Sequence, residues 1–261
     1  MLYGKTIVIT GVSSGIGART AALALQLGAE VVGVDMRTPD APVSAFLEGD
    51  VSTKDGIDAI AALLPRRFDA LCNIAGVSGT PGAAKTLAVN FYGLRALSLA
   101  PAPGLREGGA IVSVASIAGY GWRANLKRAR ALVAVEGFPD CAEIAREHAI
   151  NVAEGYPVSK EALLLWTQRA AHQDLFKARG IRVNAVSPGP VATPILREFR
   201  AIFGDARVDD DIARVGRAGT ASDIAPAILF LCSDGARWIN GANLPVDGGL
   251  EASVNAEALG F

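Results

Sequence analysis

Short apolar runs alternate along the chain with longer stretches in which apolar residues recur every third or fourth position. Residues 5–10 form a β-branched run that passes at once into Gly11-Val12-Ser13-Ser14-Gly15-Ile16-Gly17. Ala and Leu then recur at helical spacing to about Leu27, and Gly28 ends the pattern. Residues 30–34 predict a second strand, and further strand-like runs lie at 46–49, 70–74, 110–114, 182–186 and Asn243–Val246. Most are separated by helical patterns. That alternation predicts an α/β fold of Rossmann type: a doubly wound parallel sheet with helices on both faces, in one domain spanning residues 1–261. The first strand–turn–helix–strand reads as a βαβ unit, whose right-handed crossover brings Asp35 near the glycine turn.

One segment interrupts the rhythm. Residues 121–154 are long and amphipathic, with Arg123, Lys127, Arg128 and Arg130 clustered before Leu132, Val133 and Val135. Gly137-Phe138-Pro139-Asp140 breaks the pattern, and residues 141–149 read as a helix starting after Asp140. The expectation is an inserted helical hairpin whose basic cluster is a solvated face. No internal repeat at solenoid spacing is visible.

Composition narrows the chemistry. Of 261 residues 51% are hydrophobic and 20% charged, ample for a sizeable core and unlike a disordered chain. The formal net charge of −1 supplies no general electrostatic attraction to nucleic acid or to an anionic membrane. Apolar runs are too short for a transmembrane helix, and the first ten residues lack the pattern of a signal peptide. Cys72, Cys141 and Cys232 are odd in number and widely spaced, which suits free buried thiols in a reducing cytoplasm. His148 and His172 have no ligand-like spacing, so neither a metal site nor a histidine triad is expected. Proton chemistry must use other groups.

Tyr156 and Lys160 are such a pair. Four residues apart on a helix, they share one face and can address one small volume. An ammonium beside a phenol favours the phenolate and makes it a usable proton acceptor. The same spacing also describes an ordinary solvated helix face. What changes the reading is the glycine turn between a strand and a helix. Glycines there allow a tight turn and close approach to a pyrophosphate, which the helix N-terminus attracts. Asp35, ending the second strand, can accept hydrogen bonds from both adenosine ribose hydroxyls and would repel a 2′-phosphate, which favours NAD over NADP. Arg37 is the counter-signal, since a guanidinium can hold that phosphate.

The glycine turn, Asp50-Val51, Asn73-Ile74-Ala75-Gly76, Asn90, Ser116, Tyr156 with Lys160, Pro188-Gly189 and Asp247-Gly248-Gly249 together resemble the short-chain dehydrogenase/reductase family. The match runs in the family's order from about residue 4 to residue 250. The resemblance implies that Gly11, Ser13, Ser14, Gly15, Ile16 and Gly17 hold the pyrophosphate, Asp35 and Met36 the adenosine ribose, and Asp50 and Val51 the adenine. Asn73, Ala75 and Gly76 would border the cofactor, where the family usually has a second Asn in place of Ile74. Pro188, Gly189, Val191 and Thr193 would face the nicotinamide. Ser116 would hydrogen-bond the substrate oxygen, in preference to Ser113. Tyr156 would exchange the proton, Lys160 would bind the nicotinamide ribose, and Asn90 would help hold a water joining Lys160 to solvent.

Within the family, the insertion and the stretches 71–77, 189–196 and 237–249 are similar to those of bacterial coniferyl-alcohol dehydrogenases and, next, of bacterial 3α-hydroxysteroid dehydrogenase/carbonyl reductases. Either implies a small-molecule aromatic or steroid alcohol or carbonyl as substrate. Residues 193–219 would form a substrate lid, with Ile195, Leu196, Phe199 and Phe203 either packing it or touching substrate. A homo-oligomer is expected, the dimer ahead of the tetramer. A member that has lost catalysis and only senses NAD is the alternative of a different class.

Overall fold

The computed structural model describes residues 2–261. Its strands are β1 (Thr6–Thr10), β2 (Glu30–Asp35), β3 (Ala45–Glu48), β4 (Phe68–Asn73), β5 (Leu105–Val114), β6 (Arg182–Pro188) and β7 (Asn243–Val246). They form one parallel sheet in the order β3-β2-β1-β4-β5-β6-β7. Successive side chains on a strand face opposite layers, and both layers here are apolar. Ile7, Ile9, Ala70, Cys72, Ala110 and Val112 pack toward α1 (Gly15–Gln26) and the helix Ala221–Cys232. Val8, Val34, Leu71, Ile111 and Val183 face the other layer. That layer includes α2 (Lys54–Leu63), α3 (Ala83–Leu87) and α4 (Leu94–Leu99), the last two joined by a π-helical stretch (Ala88–Gly93). The strand order reverses between β1 and β4. A crevice therefore opens beyond their C-terminal ends, where the glycine turn and residues 74–77 both lie.

The fifth strand begins five residues earlier than the pattern at 110–114 indicates. Leu105 pairs with Phe68 and Ala110 with Ala70, with a register shift between them. The surplus residues include Gly108 at φ 72°, so this part of the strand looks like a turn in the sequence.

Residues 121–154 carry two helices, α5 (Leu126–Ala134) and α6 (Cys141–Glu147). Asp140 caps α6 by accepting from the amides of Ala142 and Glu143. The pair is not a hairpin folded on itself: α5 lies against α7 (Val152–Ala170), and α6 against α3. Arg95 anchors the insertion. Its buried guanidinium donates to the carbonyls of Val133 and Gly137 and lies over the rings of Phe91 and Tyr92. The basic cluster is largely exposed, as expected, but Arg128 turns inward to Glu154 and Glu161. After α8 (Asp174–Lys177) and β6 come α9 (Ile195–Phe203) and α10 (Asp205–Val215), which occupy the lid segment. The last two helices are α11 (Ala221–Cys232) and α12 (Leu250–Leu259). The three cysteines are free and buried, and among the described residues no helix is long and apolar enough to cross a membrane.

Candidate active site

A cavity of about 320 Å³ follows the crevice from the glycine turn to Tyr156. Its tight turn is a steric necessity. A Cβ at Gly11 would lie 2.8 Å from the amide nitrogen of Ala75, and one at Gly17 would collide with the Gly11 carbonyl. The buried Thr10 hydroxyl accepts from the amides of Ile74 and Ala75, at 3.0 Å each, and so ties the ends of β1 and β4 together. α1 opens onto this cavity with no acidic residue in its first turn, leaving the positive end of its dipole unopposed. These features fit an anionic dinucleotide. Asp35 accepts from the Ser13 amide at 2.9 Å and from the Arg37 amide at 3.1 Å, which aims its carboxylate into the same cavity. Elsewhere in the cavity wall, burial works against the Asp50 carboxylate. Hydrogen bonds from Ser52 and the Lys85 ammonium nonetheless hold it below its usual range.

The chemistry-bearing side chains meet at the other end. α7 starts in a capping box of Asn151 and Glu154, which sets the helix phase, and Tyr156 and Lys160 then point to one side. The Lys160 ammonium donates to the Val114 carbonyl at 2.8 Å and lies 5.5 Å from the centre of the Tyr156 ring. Ser116 follows the end of β5, and its oxygen accepts from the Ala118 amide at 3.1 Å. That bond leaves the hydroxyl hydrogen free to donate to a substrate oxygen. Burial pushes the Tyr156 phenol up to about 12, against a lowering by the Ser116 hydroxyl. Burial also pulls the Lys160 ammonium down to about 7. In the protein alone, desolvation of the phenolate thus outweighs the lowering that the helix spacing suggests.

A second cavity, of about 290 Å³, shares Ser116, Tyr156, Gly189 and Phe199 with the first. Most of its wall is apolar and comes from the lid and α12. The lid helix α9 divides its apolar stripe between the two spaces. Ile195 borders the first cavity, Leu196 and Phe203 the second, and Phe199 both. Glu198 holds the helix down by accepting from the hydroxyls of Ser78 and Thr80, in the loop after β4.

Gly11, Ser13, Ser14, Gly15, Ile16, Gly17, Asp35, Met36, Asp50, Val51, Ala75, Gly76, Lys160, Pro188, Gly189, Val191 and Thr193 all line the first cavity, as the sequence suggests. Two candidates do not. Asn73 lies two residues beyond Leu71 and so faces the same helical layer, where its amide donates to Ser98 at 2.9 Å. Asn90 sits in the π-helical stretch and grips both the N–H and the C=O of Val77, at 2.9 Å each. It positions the cavity wall rather than lining it. Trp122 packs at the edge of the core and lines neither of these two cavities. Lys85, Asp211 and Glu251 line the cavities without any motif to mark them. Arg207 and Val208, beside Asp211, are equally silent in the sequence, because single residues on a variable lid carry no spacing signal.

The family model described as short chain dehydrogenase matches residues 5–140, and the one described as Enoyl-(Acyl carrier protein) reductase matches residues 140–251. The chain therefore belongs to the short-chain dehydrogenase/reductase family, and it is an oxidoreductase with a nicotinamide cofactor. It is 42% identical to a coniferyl-alcohol dehydrogenase of Pseudomonas sp. (strain HR199 / DSM 7063), over 97% of this chain and 98% of that one. It is 33% identical to a 3-alpha-hydroxysteroid dehydrogenase/carbonyl reductase of Comamonas testosteroni, over 94% and 96% of the two chains. Among solved structures, the 3-alpha-hydroxysteroid dehydrogenase from Pseudomonas sp. B-0831 complexed with NADH superposes with a TM-score of 0.84 at 32% identity, covering 97% of this chain and 99% of that one.

Proposed function

We propose that this protein is an NAD-dependent dehydrogenase that interconverts a cinnamyl-type alcohol, such as coniferyl alcohol, and its aldehyde. The observation that carries the reading is the junction of the two cavities at Ser116 and Tyr156, one cavity suited to a dinucleotide and the other largely apolar. When bound, the nicotinamide supplies the acceptor for the hydride of the carbinol carbon. The glycine turn would hold the pyrophosphate, Asp35 and Met36 the adenosine ribose, Asp50 and Val51 the adenine. Ala75, Gly76, Pro188, Gly189, Val191 and Thr193 would border the nicotinamide half. Ser116 orients the alcohol oxygen by donating its hydroxyl hydrogen. Tyr156, as phenolate, takes the alcohol proton, and the Lys160 ammonium favours that charged form while binding the nicotinamide ribose. The π-helical turn at Asn90 would hold the water through which Lys160 exchanges the proton with solvent.

Asp35 supports NAD over NADP, because a 2′-phosphate would meet its carboxylate. The Arg37 amide already donates to Asp35, and its side chain lies exposed at the rim. Cavity size supports an aromatic alcohol over a steroid. At about 290 Å³, the second cavity is at the small end of ligand pockets, roughly 300–1,000 Å³, and suits a single substituted ring. The coniferyl-alcohol dehydrogenase is also more similar to this chain than the steroid enzyme. A homodimer formed through a face other than α7 is the assembly proposed, since α7 is buried along most of its length within one chain.

The deciding assay offers the purified protein coniferyl alcohol or a 3α-hydroxysteroid, each with NAD and with NADP. Turnover of coniferyl alcohol with NAD is expected. Turnover of the steroid alone would replace this reading, and NAD binding without turnover of either would point to a sensor.

A further inference from the structure

Away from Ser116 and Tyr156, the charged groups lining the second cavity are Arg207, Asp211 and Glu251. Asp211 on α10 and Glu251 on α12 line it from helices that carry neither Ser116 nor Tyr156. Both residues are half-buried, and among the described residues neither carboxylate has a hydrogen-bond or ion-pair partner. The Glu251 backbone amide is used, donating to Asp247, but its side chain is not. Arg207, in the wall of the same cavity, and Arg214 attract Asp211, and Arg123 attracts Glu251, but none forms an ion pair with either carboxylate and each has another contact. Arg207 lies over the Phe203 ring at 5.5 Å, Arg214 pairs with Glu257 at 2.8 Å, and Arg123 lies over the Trp122 ring at 4.4 Å. Burial raises both carboxyl groups and outweighs the lowering by Arg207 and Arg214 at Asp211 and by Arg123 at Glu251, with Asp210 and Asp247 adding to the rise at Asp211 and Glu251 respectively.

A ligand that filled this cavity with hydrocarbon alone would strip water from two carboxylates and return nothing. A ligand with a donor group at that wall would restore one of the lost hydrogen bonds. We propose that Asp211 and Glu251 are the specificity determinants of the alcohol cavity, accepting a hydrogen bond from a phenolic hydroxyl on the substrate's ring. This rests on the aromatic-alcohol reading above and names the residues that would read the ring hydroxyl coniferyl alcohol carries. A site built to bond a substrate hydroxyl discriminates strongly against the analogue that lacks it, whereas a purely apolar pocket does not.

The experiment compares kcat/KM for 4-hydroxycinnamyl, 4-methoxycinnamyl and cinnamyl alcohols. The wild-type protein should favour the hydroxylated alcohol over both others by roughly ten- to hundred-fold, the range for a hydrogen bond to a charged group. In the double variant Asp211→Asn, Glu251→Gln that preference should fall by about ten-fold or more. NAD affinity reports whether the variant is folded, since both residues lie outside the nucleotide cavity. If the double variant fails to fold, the single variants Asp211→Asn and Glu251→Gln carry the same comparison, and an undiminished preference in both overturns the inference. Equal wild-type efficiency on all three alcohols, or an undiminished preference in a folded variant, overturns this inference alone. Turnover of none of them by the wild-type protein overturns the aromatic-alcohol reading, and this inference with it.

Discussion

The ring centroids of Phe199 and Tyr156 lie 4.6 Å apart with the planes tilted by 59°, so the lid helix rests directly on the phenol proposed to exchange the proton. Phe203 adds an edge contact to the same phenol at 6.4 Å and stacks near Phe199 at 5.9 Å. Lid position and the shape of the alcohol cavity are therefore one variable. An aromatic pair of this kind contributes about 0.5–1.5 kcal/mol beyond the area it buries. Phe199→Ala should raise KM for the alcohol by roughly two- to ten-fold, with a smaller effect on NAD affinity. Steady-state kinetics beside an NAD titration separates the two effects, and an unchanged KM would refute the role given to Phe199.

Asp35 joins β2 to the glycine turn through the Ser13 amide, so its loss both removes the proposed ribose acceptor and loosens the turn. Asp35→Ala should weaken NAD by roughly ten- to hundred-fold, the range for hydrogen bonds to a charged group. NADP should bind more tightly than it does to the wild-type protein, because the repulsion of a 2′-phosphate is gone. Fluorescence titration with both cofactors gives the ratio directly.

Lys160 imposes a pH dependence on the nucleotide-free fold. Its ammonium is lowered by burial from 10.5 to about 7. Between those values the unfolded chain holds a proton that the folded chain lacks, so this group's contribution to stability rises with pH. Below about pH 7 the folded protein must bury the charge, and that contribution is lost. Relative to Lys160→Met, the wild-type protein should therefore gain thermal stability as pH rises from 7 toward 10. Melting curves of both proteins across that window provide the test, and parallel curves would contradict it.

Under the proposed mechanism, Tyr156 would govern the pH dependence of turnover. Burial holds its phenol at about 12 in the protein alone, while alcohol oxidation needs the phenolate. kcat/KM for oxidation should rise with pH through the neutral range, and carbonyl reduction, which needs the protonated phenol, should not. Tyr156→Phe should lower turnover by about 10²–10⁴-fold with NAD affinity little changed. A rate profile in both directions, run on both proteins, settles the assignment; full activity in the variant would remove Tyr156 from the chemistry.

Much of the fold was legible because its causes are local. β1, the glycine turn and α1 follow one another within 26 residues, and each is announced by its own periodicity or by glycine. β5 was only half legible, since the surplus residues at Arg106-Glu107-Gly108-Gly109 look like a turn when read without β4 beside them. The placement of Asn73 could have been read from strand alternation. Two residues after Leu71 it must face the same layer, toward α4 and away from the first cavity.

The sequence by itself determined the class of chemistry. The spacing of Tyr156 and Lys160, the glycines before α1 and the carboxylate ending β2 depend on backbone periodicity and chain connectivity, which a linear pattern carries. Only the tertiary structure decided how the insertion packs, with α5 and α6 spread over α7 and α3, and how α9 divides its side chains between two cavities. It alone placed Asp211 and Glu251 in one wall, from helices whose start points lie 45 residues apart. It also set the direction in which burial moves Tyr156 and Lys160. The physical reason is that burial and cavity shape are sums over neighbours from distant segments. No local spacing records which of those neighbours will be present.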